Sequence, residues 1–95
     1  MVISITSSRP NDEQLSQTEA FLKTFLPKMR KFPGIVAIYL YSRADGGDDS
    51  TIVIWESEAA LKLYRQSELI KEAMAFEKKL DIPTIRDAYP LTYSL

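Results

Sequence analysis

The amino-acid sequence predicts an α+β fold of the ferredoxin-like, split-βαβ kind, an antiparallel sheet with two helices packed on one face. Three observations predict it. Four short runs of strand character and two longer stretches of helical apolar spacing follow one another in the order βαββαβ. A turn bearing Gly46 and Gly47 joins the two middle strand runs, as a hairpin requires. The chain has 95 residues, which suits a single domain over 1–95.

Each element has its own local cause. Val2 to Ser8 alternates, with Ile3 and Ile5 on one side and Ser4 and Thr6 on the other, the pattern of a half-buried strand. Arg9-Pro10-Asn11-Asp12 interrupts it, and Asn11 or Asp12 is placed to cap a helix. From Glu13 onward Leu15, Leu22, Phe25, Leu26 and Met29 recur at helical spacing, with Phe21 widening the stripe. Pro27 removes the bond to the Lys23 carbonyl, so a kink or break is expected there. Phe32-Pro33-Gly34 ends the segment.

Ile35 to Tyr41 is unbroken apolar sequence, and Ala44 to Ser50 is turn-rich. Ile52 to Trp55 then forms the second strand of the hairpin. Ser57 caps the next helix, with Glu58 near the positive end of its dipole. Leu61 and Tyr64 carry its apolar side. Ser67-Glu68 can restart it as a second segment, whose buried side is Leu69, Ile70, Ala73, Met74 and Phe76. Asp81-Ile82-Pro83 closes the helical region. Ile85, Tyr89, Leu91, Tyr93 and Leu95 then share one face of a last strand, and Pro90 suits an edge or a bulge.

Composition removes several function classes. Twelve Lys and Arg against thirteen Asp and Glu give a net charge of −1, unlike the basic face of a nucleic-acid binder. With no Cys and no His, the chain cannot by itself build a disulfide, a zinc finger, a thiol nucleophile, a Ser-His-Asp triad or a His-ligated haem. Asp45, Asp48 and Asp49 lack the ligand alternation of a calcium loop. Met1 to Thr6 has no basic n-region or long apolar core, and no apolar run approaches the ~20 residues of a membrane span. A soluble cytoplasmic protein without a metal, a signal peptide or a membrane partner is expected.

The middle strands are apolar on both parities. Ile35, Ala37, Tyr39 and Tyr41 occupy one, and Val36, Ile38 and Leu40 the other; Ile52 and Ile54 likewise oppose Val53 and Trp55. Helices cover only one face of such a sheet, so a second copy packing through its own sheet face is expected to cover the other.

The segment Thr51-Ile52-Val53-Ile54-Trp55-Glu56-Ser57-Glu58-Ala59-Ala60-Leu61 resembles the antibiotic-biosynthesis monooxygenase (ABM) family of dimeric α/β barrels. In that family the third strand often ends in Trp-Glu-Ser and runs into a helix, and Pro33-Gly34 before an apolar strand is similar to its pattern after the first helix. The resemblance implies a homodimeric barrel of two sheets, with a ligand cavity between each sheet and its helices.

It also implies site residues. Cofactor-independent members oxidise hydroquinone or anthrone substrates with O₂, using an Asn and a Trp on the third strand and an Arg on the following helix. Those positions fall on Thr51, Trp55 and, nearby, Lys71. The implied roles are Trp55 shaping the pocket and donating its indole N–H, Lys71 balancing a substrate anion and Thr51 positioning it. Haem-degrading members use a helix His with a nearby Trp and a first-strand Asn. These fall on Met74, Tyr64 and Ser7 or Ser8, all different in kind, so haem degradation is not expected. Tyr64 and Met74 are instead expected to contact a small apolar or aromatic substrate. The alternative is a non-catalytic dimer of the same fold that binds a small ligand.

Overall fold

The structure, a computed structural model, describes residues 1–42 and 48–92. The turn residues 44–47, with Asp45, and the strand positions Tyr93 and Leu95 lie outside the described residues. The elements are β1 (Val2–Ser8), α1 (Asp12–Arg30), β2 (Ile35–Ser42), β3 (Asp49–Trp55), α2 (Glu58–Arg65), α3 (Glu68–Leu80) and β4 (Thr84–Pro90). The four strands form one sheet in the order β2-β3-β1-β4, antiparallel throughout. This is the expected split-βαβ topology.

Asn11 caps α1 through a capping box: its side chain accepts from the Gln14 N–H at 2.8 Å, and Gln14 Oε1 accepts from the Asn11 N–H. The Gln14 amide also donates to the Leu80 carbonyl at 2.8 Å, tying the start of α1 to the end of α3. The break expected at Pro27 does not occur, and α1 runs on to Arg30. Pro27 stands in the last turn, so it costs a single intrahelical bond; Lys23 and Pro27 are both exposed, and buried Phe25 and Met29 hold the turn on the core. The second helical stretch divides at Gln66 and Ser67. Ser67 Oγ donates to the Tyr64 carbonyl at 2.6 Å, and α3 ends at Asp81 in the left-handed conformation, φ 55°.

Two strand expectations are corrected. β3 begins at Asp49 rather than Ile52, because Ser50 and Asp49 continue the ladder opposite Ser7 and Ser8. Ser50 is buried, with its hydroxyl 3.0 Å from that of Ser7. Ile35 does not share a face with Ala37, Tyr39 and Tyr41. A bulge sets Ile35 opposite Trp55 and Ala37 opposite Ile54, which turns Ile35 toward the helices.

Cross-strand pairing fixes the two faces. Val2, Ser4, Thr6, Val53, Trp55, Ile38 and Ala88 face the helices, where the core cluster of Phe25, Met29, Val53, Trp55, Leu61, Tyr64 and Ile70 lies. Ile3, Ile5, Ile52, Ile54, Ala37, Tyr39, Ile85 and Tyr89 occupy the opposite face, which no helix covers. In β4 the apolar parity is therefore the outer one, and Ile85 is 65% exposed. Pro90 ends an edge strand, as its missing N–H requires.

Gly34 sits at the entry to β2 with φ 88°, accepting from the Glu56 N–H at 2.8 Å. A Cβ there would lie well inside van der Waals contact of the Ala60 Cβ. Gly34→Ala should cost about 2 to 3 kcal/mol, combining a left-handed penalty with overpacking against α2. Urea unfolding measures this, and a wild-type midpoint would show that the strand entry is free to shift.

Candidate functional site

Between the sheet and the helices lies a cavity of about 580 Å³. Its helix side is mostly apolar, from Leu22, Phe25 and Met29 of α1 and Ile70 and Ala73 of α3, with the charged Glu19, Arg65 and Glu77 also in the lining. Phe21 stacks on Phe76 with ring centroids 4.1 Å apart, joining α1 to α3 over the space, and on Phe25 at 5.0 Å. Its sheet side is polar. Ser4, Thr6 and Ser8 of β1, Thr51 of β3, and Thr84 and Arg86 of β4 all lie on the helix-facing parity and line the cavity. The result is a mainly apolar roof over a floor of hydroxyls in which Arg86, Asp49 and Asp87 are the charged groups.

Arg86 reaches from β4 to Glu77 on α3. Its Nη1 donates to Glu77 Oε1 at 2.8 Å and its Nη2 to Glu77 Oε2, a two-pronged pair with side chains only 28% and 21% exposed. Tyr64, from α2, lies in the same wall. Burial pushes its phenol up to about 12, while Arg86 pulls it down and Glu77 pushes it up, which places the ring within electrostatic reach of the ion pair. The Tyr64 hydroxyl is therefore a neutral donor throughout the physiological range.

The expected site residues separate into two groups. Thr51, Tyr64 and Met74 line the cavity. Trp55 and Lys71 do not. Trp55 is 0% exposed, its Nε1–H donates to Ser4 Oγ at 2.9 Å, and its ring packs against Tyr64 at 5.2 Å and edge-on to Phe32 at 6.3 Å. Its indole N–H is thus occupied, and its contacts with Ser4 and Tyr64 connect it to the cavity lining. The Lys71 side chain is 67% exposed and pairs with Glu68 at 3.1 Å on the outer side of α3. The sequence reading missed Arg86 and Glu77, which are nine positions apart and match no spacing rule. The one available signal was a charged residue on the parity of β4 opposite the apolar one. Among the described residues no group of His, Cys, Asp or Glu has the geometry to hold a metal ion, and no helix is long and apolar enough to cross a membrane.

A ferredoxin-like sheet with a mainly apolar cavity against its helices defines a class of small α+β domains. Within that class the family is clear: the family model of antibiotic biosynthesis monooxygenases matches residues 1–75, and the chain belongs to that family. Solved structures agree in fold. A Deinococcus radiodurans protein, provisionally named an antibiotic biosynthesis monooxygenase, superposes with a TM-score of 0.91 at 16% identity, covering 100% of this chain and 96% of that one. SnoaB, a cofactor-independent oxygenase from Streptomyces nogalater, gives 0.82 at 14% identity, over 99% and 95%. Rv0793 from Mycobacterium tuberculosis gives 0.78 at 22%, over 99% and 98%. At these identities the likeness is one of fold. No curated protein matches the sequence.

Proposed function

We propose that the protein is a cofactor-independent monooxygenase that oxidises a small electron-rich aromatic, of hydroquinone or anthrone type, with O₂. The observation that carries this reading is the 580 Å³ cavity with its mainly apolar roof and hydroxyl-lined floor. Its volume falls within the range of ordinary ligand pockets, about 300 to 1,000 Å³. Membership of the monooxygenase family supports it, and the absence of His and Cys removes the usual ligands of a redox metal.

At an anthrone-like methylene the chemistry balances with O₂ alone. The C–H proton leaves to water to give a delocalised anion, the anion passes one electron to O₂, and the carbon radical and superoxide combine to a peroxide anion that takes a proton back to become the hydroperoxide. Loss of water from that hydroperoxide leaves the quinone carbonyl. The protein's share is to hold the flat substrate between Phe21 and Phe25 on one side and Thr6 and Thr51 on the other, and to stabilise the oxygen on which charge collects. Trp55 acts by positioning Tyr64 rather than by touching substrate. Lys71 is given no role. A second reading, a small-ligand-binding dimer without oxygenase chemistry, is favoured by one observation: Lys71 is exposed and paired with Glu68, away from the cavity.

In either reading the functional unit is a homodimer packed through the outer sheet faces in the cytoplasm. Oxygen uptake by chelator-treated protein with hydroquinones and anthrones tests the enzyme, with boiled protein as control. The expected result is one O₂ consumed per quinone formed from an anthrone. Uptake equal to autoxidation with every substrate would leave the binding module as the reading.

A further inference from the structure

We propose that Arg86 is the anion-recognising group of the cavity, positioned and attenuated by Glu77, and that the site takes aromatic ligands carrying an ionisable ring hydroxyl, bound as the phenolate. This rests on the reading of the cavity as the ligand site and adds the chemistry that selects the ligand.

A guanidinium carries five N–H donors in a fixed plane. Glu77 occupies the edge between Nη1 and Nη2, taking one hydrogen from each. The edge formed by Nε–H and the second Nη2 hydrogen remains, a fork suited to one oxygen or to a pair of neighbouring ones. Glu77 is the side-chain partner of Arg86 among the described residues. Arg86, Glu77 and Tyr64 all line the cavity, so the remaining fork and a neutral phenol donor stand in one wall. Their neighbours Thr6 and Thr84 add hydroxyls on the same face of the sheet.

The ion pair explains why the recognised group is a phenolate rather than a strong acid. Arg86 is not the cavity's one charge: Arg65, Glu19, Asp49 and Asp87 also line it, and with Glu77 the carboxylates among them oppose a compact, highly charged anion. Paired with Glu77, Arg86 offers donors with little net charge, so a diffuse aromatic oxyanion fits better than a compact carboxylate or phosphate. Both partners lie beyond residue 75, outside the stretch that matches the family model.

The test uses 4-nitrophenol, whose neutral and ionised forms absorb at different wavelengths, with the intact protein. Absorbance titration gives its ionisation when bound. The bound probe should ionise at a lower pH than the free one. Arg86→Gln should move that ionisation up by about 1 to 3 pH units, and Glu77→Gln should move it down by uncovering the Arg86 charge. Shifts of opposite sign cannot come from a general loss of packing. Binding with the same ionisation in wild type and Arg86→Gln would overturn the cradle while leaving the cavity as a ligand site, and no binding by the wild-type protein would remove both. A shift without oxygen uptake on any substrate would overturn the oxygenase reading and keep the cradle.

Discussion

Trp55→Ala should lower the stability of the fold by about 3 to 5 kcal/mol, a large share of the roughly 5 to 15 kcal/mol that holds a domain of this size. The side chain is wholly buried and touches both Tyr64 and Phe32 edge or ring. Truncation leaves a cavity beneath α2 and deprives Ser4 Oγ of its donor. Trp55→Phe keeps most of the packing and loses the hydrogen bond, so its cost should be about 1 to 2 kcal/mol. Urea unfolding followed by circular dichroism measures both. A cost below about 1 kcal/mol for the alanine variant would mean that the indole is not the packed centre the structure shows.

The same pair of variants separates a positioning residue from one in contact with substrate. If Trp55 works through Tyr64, then Trp55→Phe, with its fold intact, should weaken ligand binding by no more than a few-fold. It should also leave the pH dependence of bound nitrophenol unchanged. A large loss of turnover at unchanged KM in that variant would instead place the indole at the reacting atoms.

Most of the fold could be read from the sequence because local signals agreed with it. Asn11 with Gln14, Ser57, and Gly34 before an apolar strand each carry a one-step physical meaning, and the structure uses them all. Pro27 misled because proline removes one bond wherever it stands, and its consequence depends on how many turns follow. The bulge at Ile35 and Val36 could not be read at all, since it depends on which residue of β3 lies opposite. For the site, strand parity correctly joined Thr51 to the helix-facing side, but Trp55 on that same side proved to be core rather than cavity. Parity gives a face and no depth. In β4 the sequence placed Ile85 and Tyr89 on one face without saying which, and that face proves to be the outer one, with Arg86 on the helix side. In a sheet with something to cover on both sides, apolar parity does not say which side holds the chain's own helices.

That outer face carries the second large prediction. Ile3 stands opposite Ile54, Ile5 opposite Ile52, and Ala37, Tyr39 and Tyr89 flank them. Tyr39, Ile85 and Tyr89 are each at least 51% exposed. Apolar patches larger than about a few hundred Å² are rare on monomers, and a flat twisted sheet is self-complementary through a two-fold axis. A second copy would bury the patch on both sides at once. The wild-type protein should therefore elute as a dimer on a sizing column. Tyr39→Lys places a charge where the free chain is already open to water, so the fold survives while the interface must bury two unpaired ammonium groups. At about 2 to 3 kcal/mol for each copy, the dissociation constant should rise by about three to four decades and the variant should elute as monomer. Ile52→Lys, at the centre of the isoleucine cluster, should do the same. Ile38→Lys is a different experiment, because Ile38 lies opposite Val53 on the helix side and its replacement attacks the core. A dimer that persists in both Tyr39→Lys and Ile52→Lys would move the interface elsewhere. The cavity lies across the sheet from this patch, so the monomeric variants should still bind nitrophenol, with the Arg86-dependent shift intact.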